Sequence, residues 1–592
     1  MKHSILTILL LLSISLFSQD NDYLTHYEKS NFLETANYDE VIRYSKMLAY
    51  ESEWIMYMPL GISPQGRDIP LLILDKNGNF NPKDAKESGN AILFIEAGIH
   101  PGEADGTDAV LMFARDVAVT KELDHLLDSL TIIIMPAFNV DGLARFGPYN
   151  RINQNGPAEM GWRVTAQNLN LNRDFLKADA PEMHTWLKLF NFWLPDFFID
   201  CHTTDGADYK YHITYMMEIF GNMDESLTDW QRDTYLPELK SLMDEDEVPI
   251  YQYVSFRRWH DPRSGLISGV SAPRLSNGYS AIQNRPAFLI ESHMLKPHKI
   301  RVEGCYHIIE NTAEILNKNP KQLIELNKVA DEYTASKEFR KKPMALSFKN
   351  SIKDSVMVKY EGFEYTAEKS NLTGGYWFKY SDVPTVYDLP WFNKPEATFE
   401  TTLPEAYIIP PEYSAVISRL NLHGVNFYYL EEPVEIEIES YHFKNPDWRK
   451  SPYEGRHAMS NIEYDIVKEK RFYPEGSVVV DMNQRTARVI AHILEPKATD
   501  SYVYWGFFDA IFEQKEYSET YVMEGVAREM LENDPELKKE FEKKKAEDEN
   551  FAKQQWPMLN WFYSKTPYWD WKKDNYPVGR IMERSVVEEL IK

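Results

Sequence analysis

Cysteine is almost missing from this chain: 592 residues contain two, Cys201 and Cys305. Two cysteines cannot make a disulfide framework, and they exclude a Cys-rich zinc site, so any zinc here must rely on His and carboxylates. Positive charge is scarce too, with 65 Lys and Arg against 91 Asp and Glu and a formal net charge of -26. Nucleic acids are held by clustered cations, so this balance argues against a nucleic-acid partner. Beyond the N-terminus no apolar run is long enough for a membrane helix, and there is neither an internal repeat nor a low-complexity tract. What is abundant is core-forming material, 43% hydrophobic and 14% aromatic, enough to exclude a disordered chain and, at this length, to build several domains.

The first residues form an address. Lys2 and His3 precede an apolar run from Ile5 to Phe17, and Ser18, Gln19 and Asp20 follow. That is a basic start, an apolar stretch short of the roughly 20 residues that span a bilayer, and a polar exit. It predicts a signal peptide over residues 1–19 and an exported protein, periplasmic or secreted. With no Cys nearby, a lipid anchor is not expected.

Residues 20–335 alternate short apolar runs (71–75, 91–99, 131–138, 197–200 and 287–290) with helical patterns at 106–120 and 181–194. This predicts an α/β domain on a mixed, mostly parallel sheet flanked by helices. Residues 340–500 read as a β-rich accessory domain, with runs at 355–360, 406–409, 434–441 and 476–481 between Pro and Gly. Residues 501–592 read as a helical region packed on the rest, its charged stretch at 532–553 being a solvated face.

His100 and Glu103 stand in Gly98-Ile99-His100-Pro101-Gly102-Glu103, directly after a buried strand. His-x-x-Glu alone is weak, and it recurs at His307/Glu310, within a helical pattern, and at His492/Glu495, in a β-rich stretch, settings that imply only packing or exposure. The first copy sits on a turn at the carboxyl end of a strand, where ligands of open α/β sheets bind. Phe197–His202 is a second buried strand running into a His, which completes a His, Glu, His set with a position left open for catalysis. The alternative is a strand-end histidine satisfied by packing. Pro286–Glu291 is a third such strand, and Glu291 is the candidate general base.

Further segments occur in an order that resembles the zinc carboxypeptidases of the A and B type, over residues 45–320. Asn139-Val140-Asp141-Gly142 is similar to the family's Asn-Pro-Asp-Gly, with Val140 replacing Pro. Asn170-Leu171-Asn172-Arg173-Asp174-Phe175 is similar to its Asp-Leu-Asn-Arg-Asn-Phe, with Asn170 and Asp174 exchanged. Ala180-Pro181-Glu182 resembles the opening of the next helix. The resemblance implies a carboxypeptidase-like fold and one zinc per chain on His100, Glu103 and His202. It implies that Glu291 activates water and protonates the leaving amine, and that Arg163 stabilises the oxyanion. Asn172 and Arg173 would grip the C-terminal carboxylate of a peptide substrate, and Asn170 would orient a zinc-bound His. The family's carboxylate-capping Tyr has no clear counterpart; Tyr279, 12 residues before Glu291, is a weak candidate, and Tyr251 and Tyr253 lie further back. The segment 257–279 departs from the family's common members, which leaves side-chain preference open. A zinc amidase acting on cell-wall peptides or N-acyl amino acids, and an inactive peptidase fold serving as a binding protein, are the competing expectations.

Overall fold

The computed structural model describes residues 23–592 apart from residue 205; the expected signal peptide, 1–19, lies outside them. The first half is built on eight strands of one mixed sheet. They are β1 (Ile55–Ile62), β2 (Asp68–Leu74), β3 (Ala91–Glu96), β4 (Leu130–Met135), β5 (Phe197–Thr204), β6 (Ile213–Met216), β7 (Ile250–Gln252) and, after the hairpin β8 (Ser255–Arg258) and β9 (Asp261–Ile267), β10 (Ala287–His293). The order is β1-β2-β4-β3-β5-β10-β6-β7. The central pairs β4-β3, β3-β5 and β5-β10 are parallel, so these strands all end at one edge.

β3 and β4 are buried at every position, as continuous apolar runs covered on both faces must be. Alternation divides the side chains between two cores. Leu93, Ile95, Phe197, Ile199 and Ile290 pack with the helices Asp105–Ala118 and His298–Lys318. Ile92, Phe94 and Phe198 pack on the other face with helix Pro181–Trp193, whose Trp186 is fully buried. β5 and β10 run further than the sequence pattern implied, so His202 and Glu291 lie within strands rather than after them.

β11 (Met344–Asn350) pairs with β14 (Pro395–Thr401), while the long hairpin β12 (Val356–Lys369) and β13 (Tyr376–Phe392) joins β9 and β8 in a four-stranded sheet. The accessory segment thus extends strands that belong to the first half. A six-stranded sheet follows, from β15 (Ala406–Ile409), β16 (Tyr428–Tyr429), β17 (Val434–Trp448), β18 (Met459–Tyr473), β19 (Val478–Asp481) and β20 (Gly579–Ile581), in the order β16-β19-β15-β20-β17-β18. This part also contains helices, among them Ala487–Leu494, buried at every position. The helices at 520–563 enclose a small core of their own around Met523, Phe541 and Phe562. β20 then returns to sit between β15 and β17, so the sheet draws on residues from both the 340–500 and the 501–592 segments.

Arg580 of β20 carries a buried charge into that sheet. Its Nε lies 3.1 Å from Glu495 Oε1 and its Nη1 lies 2.9 Å from Glu439 Oε2. Glu495 is fully buried and also accepts a hydrogen bond from the Tyr407 hydroxyl at 2.6 Å. Removing one partner of a buried pair strands the other, so Arg580→Ala is expected to cost about 3–5 kcal/mol in urea unfolding. A variant within about 1 kcal/mol of the parent, the value of an ordinary surface pair, would show that this pair does not hold the sheet.

Candidate metal centre

The chain leaves β3 through Gly98, at φ +67°, where a Cβ would lie 3.2 Å from the Ala137 Cα; this tight crossing favours glycine. The turn beyond it carries His100 and Glu103 over the sheet edge. β5 brings His202 to the same edge, and β10 brings Glu291, the register partner of His202.

One ligand atom from each of His100, Glu103 and His202 lies within 4.8 Å of the others, and all three residues are buried. His100 Nδ1 is 3.1 Å from Glu103 Oε1, and His202 Nδ1 is 3.0 Å from Glu103 Oε2. The opposite ring nitrogens are held from behind. His100 Nε2 is 2.9 Å from Asn170 Oδ1, and His202 Nε2 is 2.8 Å from Asp200 Oδ2. Acceptors behind the rings favour the tautomers whose Nδ1 lone pairs face inward, as a metal ligand needs. His100 Nδ1 is buried without a well-directed hydrogen bond, a further sign that the donor set suits a cation.

Burial pulls His100 down to about 4, against the opposing pull of Glu103, so this ring is neutral at neutral pH. Burial also works against a charge on Glu103, but His100, Arg151 and His202 outweigh it and hold the carboxyl well below its usual range. His202 is raised well above its ordinary value, because Asp200 and Glu103 overcome the cost of burial. Beside Asp200 on the next strand, burial and Asp200 itself push the Glu96 carboxyl well above the usual range. Two imidazoles and one carboxylate in mutual contact form a set that zinc fits, with cation replacing proton.

The cluster opens into a cavity of about 500 Å³ that is also lined by Glu291, Arg163, Asn172 and Arg173. Arg163 Nη1 donates to Glu103 Oε1 at 3.0 Å. Asn172 Nδ2 lies 3.1 Å from His202 Nε2, and Arg173 donates to the Asn172 carbonyl. His100, Glu103, His202, Glu291, Arg163, Asn172 and Arg173 therefore share one space, with Asn170 behind His100.

Tyr279 does not. It is fully buried in the helix Ser276–Ile282 against Phe175, Trp186 and Phe190, and its hydroxyl lies 2.9 Å from His423 Nδ1. Its hydroxyl is spent on the core and the Tyr cannot swing into the cavity. Tyr253 lines the cavity instead. Arg151 went unnoticed in the sequence, yet its Nη1 donates to Glu103 Oε1 at 2.7 Å and its Nη2 to the Thr203 carbonyl at 3.3 Å. It lies in an irregular loop, where no periodicity marks it. The other His-x-x-Glu copies are structural: His492 is buried in a helix, and His307 Nδ1 pairs with Asp246 Oδ2 at 3.3 Å.

Residues 42–191 match the family described as zinc carboxypeptidase. Carboxypeptidase 2 of Trichophyton rubrum is 22% identical over 479 residues, covering 78% of this chain and 82% of the relative. Carboxypeptidase 2 of Trichophyton equinum is 22% identical over 487 residues, with the same shares. Among solved structures, a metallo-carboxypeptidase from Pseudomonas aeruginosa, in complex with (2-guanidinoethylmercapto)succinic acid, is 18% identical and covers 47% of this chain and 69% of that one at a TM-score of 0.36. Carboxypeptidase A of Helicoverpa armigera is 15% identical, covering 49% and 75% at a TM-score of 0.35.

Two variants separate ligand from orienter. His202→Ala is expected to abolish zinc retention, whereas Asp200→Asn should keep the site but weaken zinc about 10–100-fold in competition with a chelating dye. Unchanged affinity in Asp200→Asn would remove Asp200 from the orienting role.

Proposed function

We propose that this protein is an exported zinc metallocarboxypeptidase that releases single residues from the free C-termini of peptides. One observation carries the reading: the cavity that holds His100, Glu103 and His202 also holds Glu291, Arg163, Asn172 and Arg173. Zinc bound by His100, Glu103 and His202 would supply Lewis acidity, polarising a carbonyl and acidifying water. Glu291 takes the proton of the attacking water. As the water oxygen bonds to the carbonyl carbon and the carbon–nitrogen bond breaks, Glu291 passes that proton to the departing amine. Arg163 faces the charge that develops on the carbonyl oxygen, where a fixed cation is worth most in a water-poor site. Arg173 matches the substrate carboxylate with its planar fork, and the Asn172 amide adds a donor.

The same walls bear on the released side chain. Leu289 stands two residues before Glu291 and shares its face of β10, with Met216 as its register partner on β6. Leu275 is also in the wall, and among the described residues the carboxylates that line it are Glu103 and Glu291. A Lys or Arg side chain would enter without a counter-charge, so apolar C-terminal residues are favoured. Export rests on residues 1–19 of the sequence alone, and N-terminal sequencing of the mature protein tests it. Among the described residues no helix is long and apolar enough to cross a membrane.

The amidase alternative makes a different demand, since it needs no free carboxylate. Purified protein should carry one zinc and shorten a peptide library by single C-terminal residues, with Leu, Met or Phe leaving well ahead of Lys. Amidating the C-terminus should stop cleavage, and unchanged cleavage would favour the amidase. Glu291→Gln should keep its zinc and lose about 10³-fold or more in kcat, since the base acts only in the chemistry. Loss of metal in that variant would instead make Glu291 part of the metal site.

A further inference from the structure

We infer that Asp105 is a positioning residue that sets the spacing between His202 and Glu291 from the far face of the sheet, an inference resting on the roles proposed above for those two. Asp105 opens the helix Asp105–Ala118, two residues after Glu103. Gly106 beside it lets the helix press onto β5, since a Cβ there would meet the Cys201 Cβ at 2.2 Å.

The fully buried Asp105 carboxylate reaches three elements at once. Its Oδ2 accepts from Thr203 Oγ1 at 2.6 Å, from Ser292 Oγ at 2.6 Å and from Arg301 Nε at 3.0 Å. Its Oδ1 lies 2.8 Å from His298 Nδ1. Thr203 directly follows His202, Ser292 directly follows Glu291, and the two are register partners across β5 and β10. Successive side chains alternate faces. One carboxylate oxygen therefore ties the two strands together one residue beyond the functional pair, through side chains on the face of the sheet opposite His202 and Glu291, while the Thr203 backbone stays at the cavity wall. The same carboxylate is joined through two residues to Glu103, so a metal ligand from each source and the base share one anchor.

Arg301 carries the anchor outward. It is fully buried and donates to the carbonyls of Met294 and Lys296, at 3.0 and 2.7 Å, just after β10. It also donates to the carbonyls of Asn155 and Gly156, at 3.0 and 2.7 Å, next to the cavity-lining residues 150–153. Catalysis by positioned groups is steep in distance, and a displacement of about 1 Å can cost roughly 10²-fold in rate. A clamp across the two strands at this level is placed to control that distance.

Replacing Asp105 itself would leave the Arg301 charge unpaired and mix folding with positioning. The test therefore removes a donor. Ser292→Ala and Thr203→Val each delete one hydroxyl and leave the ion pair whole. Both should bind one zinc per chain with KM within about twofold of the parent and kcat reduced about tenfold, while Thr203→Ser, which restores the hydroxyl, keeps kcat. Thr131→Val is the control: its hydroxyl donates to Asp75 Oδ2 at 2.6 Å in an equally buried setting near the start of β4. It should lower the melting temperature and leave kcat unchanged. Parental kcat in Ser292→Ala, a fall matched by Thr131→Val, or loss of zinc would each overturn the inference. An active Glu291→Gln would instead overturn the catalytic reading beneath it.

Discussion

The parallel pairing of β5 with β10, in the register that sets Glu291 beside His202, governs the rest of the site. The register is fixed by the two cores. Phe197, Ile199 and Cys201 on β5, with Phe288 and Ile290 on β10, must face the helices at 105–118 and 298–318. Their neighbours by alternation, Asp200, His202, Leu289 and Glu291, are thereby turned to the opposite face. A slip of one residue would bury His202 and Glu291 among aliphatic side chains and lift the core into the cavity, and the hydrophobic cost of that exchange is what makes the arrangement single-valued.

Much of this was legible in the sequence because it is local. A buried run followed by His-Pro-Gly-Glu, or passing through His202 or Glu291, advertises a strand end with chemistry on it. The resemblance to the zinc carboxypeptidases added Arg163, Asn172, Arg173 and Asn170, which the fold brings to the cavity or, for Asn170, behind His100. What could not be read depended on contacts between distant residues. Arg151 reaches Glu103 from an irregular loop. Asp105 looks like an ordinary first-turn acid until the strands bring Thr203 and Ser292 to it. Tyr279 misled because a count of residues before Glu291 says nothing about which way a buried helix turns its side chains. The run Ala487–Leu494 is equally good as strand or helix by apolarity, and only packing on all sides decided for helix. β20, at three residues, is too short to stand out from the turns around it.

The C-terminal half does more than lie against the first half. One core cluster runs from Ala36 to Val578 without a break between the two. Glu454 Oε2 accepts the backbone N–H of Asn170 at 3.1 Å, behind the residue that holds His100. Asp179, just before the helix Pro181–Trp193, is held by Arg456 at 2.7 Å and by Arg419 at 3.1 Å. Arg274, next to the cavity-lining Leu275, is held by Asp500 at 2.9 Å. The surroundings of the metal centre are thus braced from sequence positions hundreds of residues away.

The placement of β20 in the interior of the six-stranded sheet gives this bracing a schedule. A ribosome delivers the chain from its N-terminus, so His100, Glu103, His202 and Glu291 are all made before β20. Until residue 581 has emerged, β15 and β17 lack the strand between them, and Glu495 has no Arg580 to neutralise it. The sheet that stands behind the Asn170 side of the cavity is thus knitted from strands far apart in the chain, with β20 as the piece that joins β15 to β17.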